Sequence, residues 1–132
     1  MGFMVIGEKF YEELGYLFYA AASADKKVAK EEVAELKKCV REVWLPLEDS
    51  TDTFGSDAAF HIESVFDWLL ENGEKGQDAL SNFEEYFLNH KKLFSESIKS
   101  KILDTVSRIS GAYGTENKAE KEFWNQVKIL LN

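Results

Sequence analysis

The 132-residue sequence is poor in residues that staple or interrupt a chain, with one cysteine, Cys39, and one proline, Pro46. A single cysteine cannot form an internal disulfide or a multi-cysteine metal site, which excludes zinc ribbons, iron–sulfur clusters and secreted disulfide scaffolds. No apolar stretch approaches the ~18 residues that a membrane-spanning helix needs. We therefore expect a cytoplasmic protein with no targeting signal and no membrane insertion.

Basic residues are also scarce, since 16 Lys and Arg oppose 24 Asp and Glu, for a net charge of -8. Phosphate backbones and anionic lipids are bound by clustered Lys and Arg, so nucleic acid is not expected as a partner. The acidity is concentrated, because residues 47–89 hold 11 acidic side chains and one basic side chain. We expect a negative face on the third and fourth helices, suited either to a basic partner or to solubility.

Apolar residues at helical spacing are abundant, and alternating strand-like runs are missing. The spacing predicts six amphipathic helices, and hence an all-α fold, a single compact bundle that forms one domain over residues 1–132. The predicted boundaries, in chain order, are Glu8 to Ser23; a second helix that Pro46 ends or kinks; Ser56 to Gly73; a fourth helix to Lys92; Ser95 to Gly111 and Gly114; and a sixth from Lys118.

Residue patterns that carry enzymatic chemistry are missing from the sequence. The two histidines, His61 and His90, lack the Glu-x-x-His and His-x-x-x-His spacings of di-iron bundles and zincins. Neither a G-x-S-x-G elbow nor a phosphate loop occurs. Cys39 has no nearby histidine to act as a base, so we interpret it as a packing thiol. We expect a protein that is not an enzyme.

Two segments that lie 88 residues apart are similar, residues 24–32 (ADKKVAKEE) and residues 112–120 (AYGTENKAE). Each joins a helix that ends in small residues to a second helix, whose first turn holds Glu32 or Glu120. True duplication would give two pseudo-repeated halves. Two unrelated helix–turn–helix units would share the same features, so both interpretations stay open.

These segments, together with residues 20–25 (AAASAD), resemble the tellurite-resistance TerB-like family. The resemblance implies an all-helical bundle of two pseudo-repeated halves in the bacterial cytoplasm, with a role in tellurite resistance or stress response. It also implies a divalent-cation site made of turn aspartates and helix glutamates. Asp25 matches the first turn aspartate, and Glu32 and Glu120 match the two glutamates. Lys26 stands where the family has glycine, and Tyr113 replaces the second aspartate.

Five carboxylates near the two turns would form a Ca²⁺ or Mg²⁺ site if the halves pack side by side. The predicted ligands are Asp25, Glu31, Glu32, Glu116 and Glu120. The alternative is that acidic residues in first helical turns only stabilise their helices, by about 0.3 to 1 kcal/mol each. Asp49, Asp52 and Asp57 lack the ligand spacing of an EF-hand loop, and we expect them in a solvated loop.

Two functional hypotheses follow. The first is a non-enzymatic TerB-like domain that binds a divalent cation weakly or not at all and contacts an unidentified protein partner in a stress response. The second is a structural adaptor or interaction bundle that has lost the family's metal site, as Lys26 and Tyr113 indicate. Trp68 and Trp124, at the margins of apolar helix faces, are candidate anchors for a partner.

Overall fold

The computed structural model describes residues 7–47, 58–112 and 117–132, and shows six α-helices packed into a compact bundle with no β-strand in these ranges. The helices are α1 (Glu8–Ala22), α2 (Lys30–Cys39), α3 (His61–Glu71), α4 (Gly76–Asn89), α5 (Glu96–Gly111) and α6 (Lys118–Leu131). The predicted all-α class is confirmed. None of the helices in the described ranges is both long and apolar enough to cross a membrane.

Helix α1 is the centre of the bundle, where it packs against α3, α4 and α5. The sequence predicts one apolar face, but 11 of the 15 residues of α1 are buried, including Tyr11, Tyr19 and Glu13. Burial on several faces arises because α1 has three neighbouring helices, and a helix buried all round is mostly apolar. Gly15 permits the close approach of α3, since a Cβ atom there would lie 2.9 Å from the Ile62 carbonyl oxygen.

Helix α2 continues beyond Cys39 through a π-helical turn, Val40–Trp44, and residues 45–47 are again α-helical. Pro46 was predicted to end or kink the helix, but it lies within these α-helical residues. The irregularity is one turn earlier, where the Leu45 N–H bonds to the Val40 carbonyl. The π turn places Trp44 in the core, and its Nε1 donates to Thr105 Oγ1 of α5 at 3.2 Å.

Helix ends follow the predicted signals at three places and depart from them at one. Ser95 caps α5 by accepting from the Ile98 N–H at 3.2 Å, Gly111 is the last residue of α5, and Gly73 follows α3 with a left-handed φ of 62°. Helix α4 ends at Asn89, three residues before the predicted Lys92, and a 3₁₀ turn, Lys91–Leu93, follows. Ser56 and Gly114 lie outside the described residues.

The two helix pairs α1–α2 and α5–α6 share one constant offset in the sequence. The pairs begin at Glu8 and Glu96, and their second helices begin at Lys30 and Lys118, so each start is displaced by 88 residues. The glutamates Glu32 and Glu120 differ by the same 88. The first helices of the pairs have 15 and 16 residues and the second helices 10 and 14, so the equal offset concerns the helix starts alone, and the pseudo-repeat stays a prediction.

Candidate functional site

The turn before α2 and the turn before α6 touch each other. Asn117, the N-cap residue of α6, donates from Nδ2 to Oδ2 of Asp25 at 3.1 Å. The other oxygen of Asp25, Oδ1, accepts from the backbone N–H of Lys27 at 3.1 Å. Between them Lys26 has a left-handed φ of 69°, a conformation that favours glycine. A glycine at position 26 would therefore adopt this turn without the strain that a lysine has.

Glu32 and Glu120 have the same local role, each at the third position of its helix. Glu32 Oε1 accepts from the Ala29 N–H at 2.7 Å, and Glu120 Oε1 accepts from the Asn117 N–H at 2.9 Å. In α6 the box is reciprocal, since Asn117 Oδ1 accepts from the Glu120 N–H at 2.9 Å. In α2 it is half a box, because Ala29 has no side-chain acceptor.

The two capping glutamates meet in the interior. Both residues are almost fully buried, with 1% exposure for Glu32 and 3% for Glu120. Burial raises the pKa of Glu32 to about 7, with further contributions from the negative charge of Asp25 and from the neighbouring Glu120 carboxyl group. Near neutral pH, Glu32 is therefore protonated far more often than an exposed glutamate.

The five predicted metal ligands have different positions in the structure. Glu32 and Glu120 are brought together, and Asp25 is near enough to act on Glu32 electrostatically. Glu31 is exposed in the first turn of α2, and Glu116 lies outside the described residues, as do Tyr113, Asp49, Asp52 and Asp57. Cation binding at these residues stays a prediction.

In the part of the chain that the structure describes, one group of three metal-ligating side chains converges. It contains none of the five predicted ligands. The ligand atoms of Glu8, Glu12 and His61 all lie within 4.8 Å of one another at the start of α1 and α3. His61 Nε2 is 3.8 Å from Glu8 Oε1, and the Glu8 side chain is 69% exposed. No local spacing in the sequence indicates this group, because His61 is distant in sequence from Glu8 and Glu12.

Cys39 is a buried thiol, more enclosed than the semi-buried position that the sequence indicates. Its exposure is 0%, and burial raises its pKa to about 12, although the nearby Arg108 guanidinium lowers it. A thiol with such a pKa is protonated at neutral pH and is a poor nucleophile. Arg108 instead joins α5 to α2, donating to Glu35 at 2.9 Å and to Glu42 at 2.8 Å.

The two candidate tryptophan anchors differ in exposure. Trp124 is partly buried, donates from Nε1 to the Leu103 carbonyl at 3.1 Å, and has the Lys128 ammonium 5.3 Å from its ring. Trp68 on α3 is 53% exposed. Its neighbours Asp67 and Glu71 are exposed as well, and so are Glu84 and Glu85 on α4. Exposed acidic residues thus occur on both helices for which a negative face was predicted.

Comparison with protein-family models, with curated proteins and with solved structures found no match for this chain.

Two residues at the junction of the halves were not predicted to have a role. Asn117 had a local signal, since Asn-x-x-Glu before an apolar stripe is a capping-box pattern, but its bond to Asp25 spans 92 residues. Arg108 had none, because its partners Glu35 and Glu42 lie on another helix and i,i+4 spacing offers only Asp104. Long-range pairs of this kind depend on how the helices pack.

Proposed function

We propose that this chain is a non-enzymatic, cytoplasmic helical domain of the TerB-like kind, which binds Ca²⁺ or Mg²⁺ weakly and contacts a protein partner in a bacterial stress response such as tellurite resistance. The observation that carries the cation part is the meeting of Glu32 and Glu120. The two carboxyl groups, each at the third position of its helix, are buried next to each other. The resemblance implies that the family's cation is bound by glutamates at these positions.

The chemistry of the pair favours a hard divalent cation over other ligands. Ca²⁺ and Mg²⁺ are held by carboxylate oxygens, and both require several such ligands. The carboxylate of Asp25 acts electrostatically on Glu32, but its oxygens do not converge within 4.8 Å with those of Glu32 and Glu120, so a cation here would draw Asp25 inward. A cation at this position replaces the proton of Glu32, so binding releases a proton and strengthens as pH rises through the Glu32 pKa of about 7.

Calorimetric titration of the full chain with Ca²⁺ and with Mg²⁺ tests this proposal. Titrations run one pH unit below and one above the Glu32 pKa of about 7 should give the tighter binding at the higher pH. Proton release is measured by repeating each titration in buffers of different ionisation enthalpy. Glu32→Gln should abolish the heat of binding, while Glu122→Gln, an exposed carboxylate on α6, should leave it unchanged.

The second candidate function is an adaptor or interaction bundle without a cation, and a specific observation favours it. Glu32 and Glu120 already accept hydrogen bonds from the backbone N–H groups of Ala29 and Asn117, so each has a role at its helix end without a cation. Both glutamates then stabilise helix ends and fasten the two halves. Absence of binding heat for either ion in the wild-type chain at both pH values rejects the cation site and leaves this function.

A further inference from the structure

The outward surface of α3 leaves two large apolar side chains uncovered by the bundle. Trp68 is 53% exposed and Leu70 is 39% exposed, whereas Phe66 and Leu69 of the same helix are fully buried. Asp67 and Glu71 are exposed too. We refer to Asp67, Trp68, Leu70 and Glu71 as the α3 patch.

Helical geometry arranges the α3 patch as an acidic stripe with apolar borders. Successive residues are rotated by about 100° around a helix axis, so Asp67 and Glu71 lie one turn apart on a common line. On the same reckoning Trp68 stands to one side of that line and Leu70 to the other. A partner helix or strand laid along α3 would meet two carboxylates in its centre and an apolar side chain at each edge.

The C-terminal end of α3 adds to the negative potential of the patch. Its last turn has no basic residue, so the negative end of the helix dipole is not offset from within the helix. Glu74 follows, and Lys75 is the one basic residue in the whole stretch 47–89. Helix α4 has a similar density of exposed acidic residues, but Lys91 and Lys92 come directly after it.

An open groove of about 860 Å³ begins at the patch. Leu70 lines it together with the connection between α3 and α4, and on its far side stands α6 with Phe123. Tyr19 and Leu80 contribute further apolar surface. Apolar side chains of a segment bound to the patch therefore have a concave surface within reach, next to the acidic stripe.

We propose that the α3 patch docks an arginine- and lysine-rich segment of a protein partner. Guanidinium groups pair with the carboxylates of Asp67 and Glu71, and one stacks on the exposed indole of Trp68. Such a cation also complements the negative end of the α3 dipole, where the last turn has no basic residue. The inference names the partner surface of the proposed function but uses no residue of the Glu32–Glu120 pair, so either can fail without the other.

A direct binding experiment with a defined probe tests the proposal. The probe is a fluorescein-labelled synthetic peptide of arginine, alanine and leucine, and a matched peptide has glutamate in place of arginine. Anisotropy titrations with the full chain should show binding of the arginine peptide alone. Trp68→Ala and the double variant Asp67→Lys/Glu71→Lys should each weaken it at least tenfold, which corresponds to a loss of about 1.4 kcal/mol or more.

The control is Glu84→Lys/Glu85→Lys on α4, which changes net charge by the same amount at exposed positions. It should alter the dissociation constant by less than threefold, because the α4 surface has no part in the proposed contact. Circular dichroism checks that each variant retains its helices. No binding by the wild-type chain, no effect of Trp68→Ala, or equal weakening by the two charge reversals would each overturn the proposal.

Discussion

Lys26 lies in the connection between α1 and α2, and Glu32 lies in the first turn of α2. Both are unusual for their surroundings. Lys26 has a left-handed backbone conformation that costs a residue with a Cβ atom about 1 kcal/mol. Glu32 is a carboxyl group with almost no exposure. Lys26 follows Asp25, which bonds to Asn117 before α6, and Glu32 lies next to Glu120 of α6, so both features occur where the two turns meet.

The pKa of Glu32 makes the stability of the fold depend on pH in a defined window. Folding raises this pKa from 4.5 to about 7, so the folded chain retains a proton that the unfolded chain releases. The stability from this group is fully present below pH 4.5 and is lost as pH rises through 7. Glu32→Gln mimics the protonated form, and we expect it to exceed wild type by roughly 2 to 3 kcal/mol above this window.

Urea unfolding of the wild-type chain and Glu32→Gln, near pH 4.5 and above pH 7, measures the difference. The two proteins should have similar free energies of unfolding at the lower pH and should diverge as pH rises. Glu31→Gln, at an exposed position in the same turn, is the matched control and should follow wild type. Parallel pH curves for Glu32→Gln and wild type would contradict the raised pKa of Glu32.

At the scale of elements, the bundle depends on how closely α3 can approach α1. Gly15 is the contact point, because a methyl group there would lie 2.9 Å from both the Ile62 carbonyl oxygen and the Val65 Cβ atom. Gly15→Ala gains about 1 kcal/mol in helix propensity but forces the two helices apart. We expect a net loss of about 1 to 3 kcal/mol in the free energy of unfolding.

Gly111→Ala provides the comparison for Gly15→Ala, since a Cβ atom at Gly111 would meet nothing within 4 Å. It should leave stability unchanged or raise it by a few tenths of a kcal/mol, through propensity alone. Thermal unfolding followed by circular dichroism measures both variants. Equal effects of the two substitutions would show that Gly15 is not a packing requirement.

Helical periodicity and caps predicted six helices in the right order, because local propensity, capping and apolar spacing agree along most of this chain. The π turn Val40–Trp44 was not predicted, since it depends on the packing of the Trp44 indole against Thr105 in α5. The pairing of Glu32 with Glu120 followed from the family resemblance. The Asp25–Asn117 bond and the bridge by Arg108 did not, because both depend on packing between helices distant in sequence.

At the scale of the whole molecule, the reactivity of the Cys39 thiol measures whether the bundle opens. Its side chain is fully buried and its pKa is raised to about 12, so a thiol reagent has neither access nor a thiolate to attack. We expect no reaction of the native chain with an aromatic disulfide reagent near neutral pH, and complete reaction in denaturing urea. Fast labelling of the native chain would show that α2 opens locally without global unfolding.

The meeting of Glu32 and Glu120 has one more consequence. Contact between residues at equivalent positions is what a two-fold axis produces in a symmetric dimer, and here both halves belong to one chain. Burial and the nearby negative charges of Asp25 and Glu120 raise the pKa of Glu32 to about 7, so a rise of pH through 7 adds a negative charge at this contact. The two turns therefore repel each other more strongly in mildly basic than in mildly acidic solution.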